Sequence, residues 1–257
     1  MRWRVFLVFI VFFGGFLSAA NAASAFGDPR STALQYAMGA LVEDGTSSYT
    51  NPAGVVQLRK REFHVSYRLG GEEPASLAAV YSEPDYGTGA GSLGVVRWMD
   101  ADFAQTMLFY TAAYQVQERL RIGATVRYES QRDGYTLVSG DVGLQFETGT
   151  PISLGLVVEN PLFYEFGETG VQLDPVLRPA VGVDFSPLLL GAELYQERLR
   201  IGAEYTVRDI SLRGGMARDF DLAATTVSFG VGYEWEEWRF DYAYGDERHQ
   251  VGLSMRF

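Results

Sequence analysis

The chain has no cysteine, which excludes disulfide scaffolds, thiolate metal sites and cysteine nucleophiles together and suits an oxidising envelope. Histidine is nearly as scarce: His64 and His249 are the two present, too few for a His-rich metal site, and each falls where a strand accommodates one polar residue. Asp246, Glu247 and His249 are close in sequence but sit on an expected loop, so no catalytic residue, cofactor or metal ligand is assigned and the chain does not read as an enzyme. Positive charge is also short. The net charge of −11 becomes −13 once Arg2 and Arg4 leave with a leader, and nucleic acid, which needs a basic face, is not an expected partner. Long apolar runs are missing apart from Val5 to Leu17, which falls short of the ~20 residues of a membrane helix. With Arg2 and Arg4 before it, and Ala20-Asn21-Ala22 or Ala23-Ser24-Ala25 as small-x-small cleavage sites after it, residues 1–25 read as a signal peptide.

What is present instead is alternation. In residues 227 to 235, Val227, Phe229, Val231, Tyr233 and Trp235 share one face while Ser228, Gly230, Gly232 and Glu234 share the other. Trp238, Phe240, Tyr242 and Tyr244 repeat the pattern after a two-Glu connection, which implies an antiparallel hairpin. Leu199 to Val207 and Leu120 to Tyr128 do the same, and Gln250 to Phe257 closes the chain on an aromatic. Without a helix able to span, a membrane form of this chain must be a closed barrel. Aromatics at 14% and 29 glycines fit strands alternating lipid-facing with lumen-facing positions, although a soluble β-sandwich shares that composition.

Strands are expected at 61–69, 75–83, 90–99, 103–115, 119–130, 135–147, 152–160, 177–185, 188–195, 198–207, 209–217, 223–235, 237–245 and 249–257. This makes an all-β, antiparallel transmembrane barrel of about 14 strands, with twelve the alternative; an even count places both termini on the periplasmic side. Short turns at Thr148-Gly-Thr-Pro151, Ser186-Pro187, Arg208 and Glu236 then face the periplasm, and the longest connection, Pro161 to Val176, lies outside. The second to fourth strands break the pattern: Val95 and Val96, and Leu108, Phe109 and Tyr110, are apolar on both faces. Either these are ordinary aromatic contacts, or the strands pack against something inside the barrel, for which residues 26–60 are the natural candidate.

Residues 26–60 do not alternate. Leu34, Met38 and Leu41 recur about one turn apart, so a short helix with Ser31 as cap is expected, and Asn51-Pro52 reads as a fixed turn whose Asn side chain bonds nearby backbone. The small-residue stretch Ala37-Met38-Gly39-Ala40, then Glu43-Asp44, Tyr49 and Asn51-Pro52-Ala53-Gly54, resembles the amino-terminal hatch of the FadL-type outer-membrane transporters and the PorV/PorQ-like barrels related to them. Ser139-Gly-Asp-Val-Gly-Leu144, Ile152 to Asn160, Leu173 to Val183, Ser211 to Gly215, Phe229 to Tyr233 and Asp241 to Tyr244 are similar to that group in order and spacing. The resemblance implies a fourteen-stranded barrel over residues 61–257 and a hatch with Glu43, Asp44, Tyr49, Asn51, Pro52 and Ala53 as gate residues. Its outer loops are shorter than those of the fatty-acid transporters, so the resemblance carries barrel and hatch rather than fatty acid as ligand.

By alternation Arg68, Arg121, Arg127, Glu129, Arg178, Asp184, Glu193, Arg200, Glu204, Arg239, Asp241 and Arg256 point into the lumen, because an Arg facing lipid at the midplane costs about 2–4 kcal/mol. They form either a mutually paired network that stiffens the interior or a polar path. Expected partners are outer-membrane lipid, the barrel-assembly machinery through the terminal strand ending on Phe257, and a hydrophobic solute or a secreted protein. The expected function is passive passage of a small hydrophobic or amphipathic solute across the bacterial outer membrane; a PorV-like secretion adaptor and a small porin are the alternatives.

Overall fold

The computed structural model describes residues 27–71, 74–99, 104–131, 136–166, 173–221 and 224–257. The leader expected over residues 1–25 lies outside them. Strands run β1 Glu62–Gly70, β2 Ala75–Glu83, β3 Ala90–Met99, β4 Ala104–Gln117, β5 Leu120–Gln131, β6 Thr136–Glu147 and β7 Ile152–Phe166. They continue β8 Val176–Phe185, β9 Leu188–Tyr195, β10 Arg198–Val207, β11 Ile210–Asp219, β12 Thr225–Trp235, β13 Trp238–Gly245 and β14 Arg248–Arg256. Every strand pairs antiparallel with its sequence neighbours, and β1 pairs with β14 from Glu62 opposite Arg256 to Gly70 opposite Arg248, so the sheet closes. The count is fourteen rather than twelve. Closure gives each strand two partners, which is what a strand needs where no water can satisfy its backbone.

The outward face is apolar: Leu93, Tyr110, Val126, Leu212, Val227 and Phe229 are among its exposed side chains. The even-to-odd connections lie at the rim where β1 begins and β14 ends, and where Arg61 and Phe257 exchange backbone hydrogen bonds at 3.0 and 3.2 Å; this is called the terminal rim, and the opposite one the far rim. The wall is uneven in height. β4 to β7 have 14, 12, 12 and 15 residues, whereas β9 and β13 have 8 each.

Two expectations change here. β7 runs on through Pro161–Phe166 and Val176 already belongs to β8, so the long connection shrinks to residues 167–175, of which 167–172 lie outside the described residues. Pairing of β7 with β8 ends at Glu159 opposite Val176, while β6 follows β7 up to Phe166 across a register shift near Asn160. The amino-terminal helix is also shorter than its periodicity suggests. α1 covers only Pro29–Ala33 and is capped by Asp28, not Ser31, through the backbone nitrogens of Arg30 and Ser31. Gln35 and Tyr36 are left-handed, at φ 51° and 62°, so Leu34, Met38 and Leu41 are not on one helix. Leu34 and Met38 instead join Val42 in a buried cluster, with Leu41 packed against it.

Candidate functional site

Residues 27–58 fill the bore. Proceeding from α1, the chain passes two 3₁₀ turns, Gly45–Tyr49 and Pro52–Gln57, before β1. Sequence sets this path through the wall as much as through the segment. Gly182, Gly191, Gly202 and Gly215 stand opposite one another on β8, β9, β10 and β11, and all four face the segment. A Cβ on Gly191 would meet the Ala37 carbonyl and one on Gly215 the Ala33 carbonyl. The glycines therefore let backbone lie directly against the wall.

On the β4 to β6 side the anchor is hydrogen-bonded and apolar. Asn51 caps the second 3₁₀ turn through Oδ1, which accepts from the Ala53 nitrogen at 3.1 Å, while its Nδ2 donates to the carbonyls of Gly39 at 2.7 Å and Leu144 of β6 at 2.9 Å. Pro52 pre-sets the turn, and Ala53 is fully buried behind it. Tyr49 sits edge-on to Phe109 with ring centres 5.4 Å apart, beside the cluster of Ala78, Val80, Val96 and Met107. This explains strands apolar on both faces: Val96 and Phe109 face Tyr49, whereas Val95, Leu108 and Tyr110 face outward. Burial, with Asp28 adding to it, raises the Tyr49 hydroxyl well above the usual phenol range.

On the β10 to β13 side the anchor is ionic and closes on itself. Arg30 grips Glu204 bidentately at 2.9 Å; Glu204 accepts from Arg213 at 2.5 Å; Arg213 reaches Asp241 at 2.5 Å. Asp241 accepts from Arg239 at 2.8 Å, Arg239 donates to Asp44 at 3.1 Å, and Asp44 returns to Arg30 at 3.3 Å. Burial alone would push the Asp44 carboxyl up, but Arg239 and Arg30 outweigh it and hold it far below the usual range. Asp44 also caps the first 3₁₀ turn through the Thr46 nitrogen. Arg256 extends the network to Glu62 at 2.8 Å.

A second charged group lies towards the far rim. Arg127 binds Asp141 bidentately and Asn160 at 2.9 Å. Arg178 bridges Glu159 at 2.5 Å and Glu193 at 2.8 Å, and Arg200 shares Glu193 at 3.3 Å. Glu129 accepts from Gln105 at 2.8 Å, and Arg68 donates to the Tyr36 hydroxyl at 3.2 Å. Between this group and the inner segment remains a crevice of about 30 Å³, while a vestibule of about 510 Å³ opens at the terminal rim.

The expected inward residues thus divide. Arg127, Arg178, Glu193 and Arg200 meet in one group, and Glu204, Arg239 and Asp241 in another, with Arg256 at its edge. Arg121 pairs with Glu147 beside the vestibule. Asp184 has the inward phase but stands exposed at the rim, where its carboxylate holds the Ser186 backbone nitrogen at 2.7 Å; it joins neither group. Glu43 is exposed in the vestibule, unlike its buried neighbour Asp44. Sequence reasoning passed over Glu62, Asp141, Glu159 and Arg213, whose inward phase was readable, and Arg30 and Tyr36, which no alternation marks. His64 is buried and bonded to Ser254 at 2.9 Å, and His249 bonds the Tyr242 hydroxyl at 2.8 Å.

No protein-family model matches the chain, and no curated protein does. Solved structures share the fold. A Pseudomonas aeruginosa FadL homologue aligns with a TM-score of 0.66 over 90% of this chain and 98% of its own, at 13% identity. The Pseudomonas putida toluene transporter TodX aligns at 0.61 over 87% and 95%, at 11% identity, and a TodX monoaromatic hydrocarbon channel deltaS2 mutant at 0.59 over 91% and 97%, at 12%. At these identities the likeness is one of fold.

Proposed function

We propose that this chain is a hatch-plugged barrel of the bacterial outer membrane, exported by a leader over residues 1–25, that passes a small hydrophobic or amphipathic solute by diffusion. The observation that carries the reading is residues 27–58 buried inside a closed wall and held by side-chain contacts that can be broken and remade. Glu43, Asp44, Tyr49, Asn51, Pro52 and Ala53 form the hatch, and the terminal strand ending on Phe257 addresses the chain to the barrel-assembly machinery. TodX, a toluene transporter by name, supports the same class of solute. A general porin fits poorly, because the bore is filled at the level of the ionic ring.

The test is flux in proteoliposomes. The full mature chain passes toluene-sized aromatic solutes while excluding sugars and inorganic ions; deleting residues 27–54 opens the bore to both. Equal sugar permeability with and without the segment defeats the reading.

A second reading is a PorV-like adaptor that anchors a secreted protein. One feature favours it: β7 projects past its pairing with β8 and exposes Leu162, Tyr164 and Phe166 on one face, the two rings 4.6 Å apart. On this reading Leu162→Ser with Tyr164→Ser abolishes capture of a protein partner and leaves solute flux untouched.

A further inference from the structure

Tyr36 holds a backbone conformation that bulky residues rarely adopt, at φ 62° directly after Gln35 at 51°. The strain seats its ring. The ring lies 5.6 Å from the Arg200 guanidinium, and its hydroxyl accepts from Arg68 at 3.2 Å and stands 3.4 Å from the Thr32 hydroxyl. Arg200 also lies against Tyr195, 4.2 Å from ring centre to guanidinium carbon. So the guanidinium has two phenol rings within cation–π range.

Its charge is poorly served. Among the described residues Arg200 makes one hydrogen bond, to Glu193 Oε1 at 3.3 Å, and that oxygen already accepts from Arg178 Nε at 2.9 Å and Nη2 at 2.8 Å. Arg178 also commands Glu159. A guanidinium has five donors in a fork suited to carboxylate, so most of Arg200's capacity is unspent. Beside it, Ser48 Oγ is buried without a partner and lines the same crevice. Met107 and Phe109 supply an apolar wall.

We propose that this crevice is a binding site for a small aromatic carboxylate, and that Tyr36 occupies it in the resting barrel as a stand-in for that ligand. The inference rests on the reading of the barrel as a solute conduit and names the class of solute. A neutral ring entering here reproduces only what Tyr36 already provides and gains nothing by displacing it. A ring bearing a carboxylate keeps the stacking on Arg200 and adds a charge-assisted bond to it, with Arg68 near the same pole. A carboxylate without a ring forfeits the stacking. The present volume of about 30 Å³ has room for little more than a water, so the ligand enters as the Tyr36 ring leaves, and departure of the ring frees residues 35 and 36 from their left-handed geometry. Ligand entry is thereby coupled to movement of the segment that plugs the bore.

The experiment is calorimetric binding of benzoate, benzyl alcohol and acetate to the purified mature barrel in detergent, with gel mobility before and after boiling to certify each variant as folded. Benzoate binds at least about tenfold more tightly than either control, Tyr36→Ala tightens benzoate several-fold by removing the resident competitor, and Arg200→Gln erases the preference for charge. Equal binding of benzoate and benzyl alcohol overturns the proposal, as does a folded Tyr36→Ala barrel that binds benzoate no better. The tightening cannot be mimicked by loss of fold. If benzoate fails to bind while neutral aromatics still cross proteoliposomes, this inference falls and the conduit reading stands; if nothing crosses while benzoate binds, only the conduit reading falls.

Discussion

Every cation in the two interior charge groups is arginine, and Lys60, the one lysine of the chain, is exposed. The choice follows from geometry: a planar fork serves two carboxylates at once, as Arg213 does with Glu204 and Asp241, whereas an ammonium is a single point charge. Asp44 shows what such pairing does to titration. Its native proton affinity lies below that of the unfolded chain, so its contribution to seating the inner segment is complete above about pH 4 and is lost only as pH falls through the depressed native value. Proteoliposome leak of sugars is therefore flat from neutral pH down to about 5, and Asp44→Ala raises it at pH 7. Removing one member of a buried ion pair costs about 3–5 kcal/mol because the arginines left behind stay desolvated. Leak that rises steeply between pH 7 and 5 in the parent chain contradicts this assignment.

Among the elements, strands were legible and the inner segment was not. Period-two alternation fixes which face of a strand is wet, so β2, β3, β9 and β10 fall at the residues expected and a one-residue slip would turn every side chain over. The spacing of Leu34, Met38 and Leu41 suggested a helix, but the path after Ala33 is dictated by a row of glycines on four other strands, a tertiary fact with no local signature. Tight turns were placed without their usual chemistry: Asp246 and Glu247 both take positive φ, at 51° and 60°, where Asn-Gly would be the ordinary choice. Of the interior charges, Arg213 and Glu159 shared a readable phase with their strands, whereas Arg30 entered from a segment whose fold could not be read. The glycine row carries its own test. Gly191→Leu forces its side chain into the Ala37 carbonyl and the Met38 sulfur, so the segment unseats while the wall persists: protease cuts appear between residues 34 and 44, and the unboiled barrel keeps its gel mobility. Protection equal to the parent would show that the row is incidental.

At the scale of the whole molecule, wall and filling are held by different forces. Backbone ladders closed through β1 and β14 hold the wall, and side-chain contacts hold the filling, so the two separate. Deleting residues 27–58 should leave a heat-modifiable barrel with a β-type circular dichroism spectrum and a lower midpoint for heat modification, because the buried arginines and carboxylates lose partners. A deletion variant that never yields a folded band would show that the segment is needed to build the wall.

The pairing of Arg61 with Phe257 has a consequence for time as well as for space. The two strands that complete the cylinder are the first and the last to be synthesised, so their meeting is the contact of greatest separation along the chain and among the slowest to form. Until then the sheet is an open curl with two bare edges, each able to pair with a neighbouring chain. Because the inner segment leads directly into β1, it is tethered to one of those edges, so a bore loaded as the seam shuts needs no later insertion.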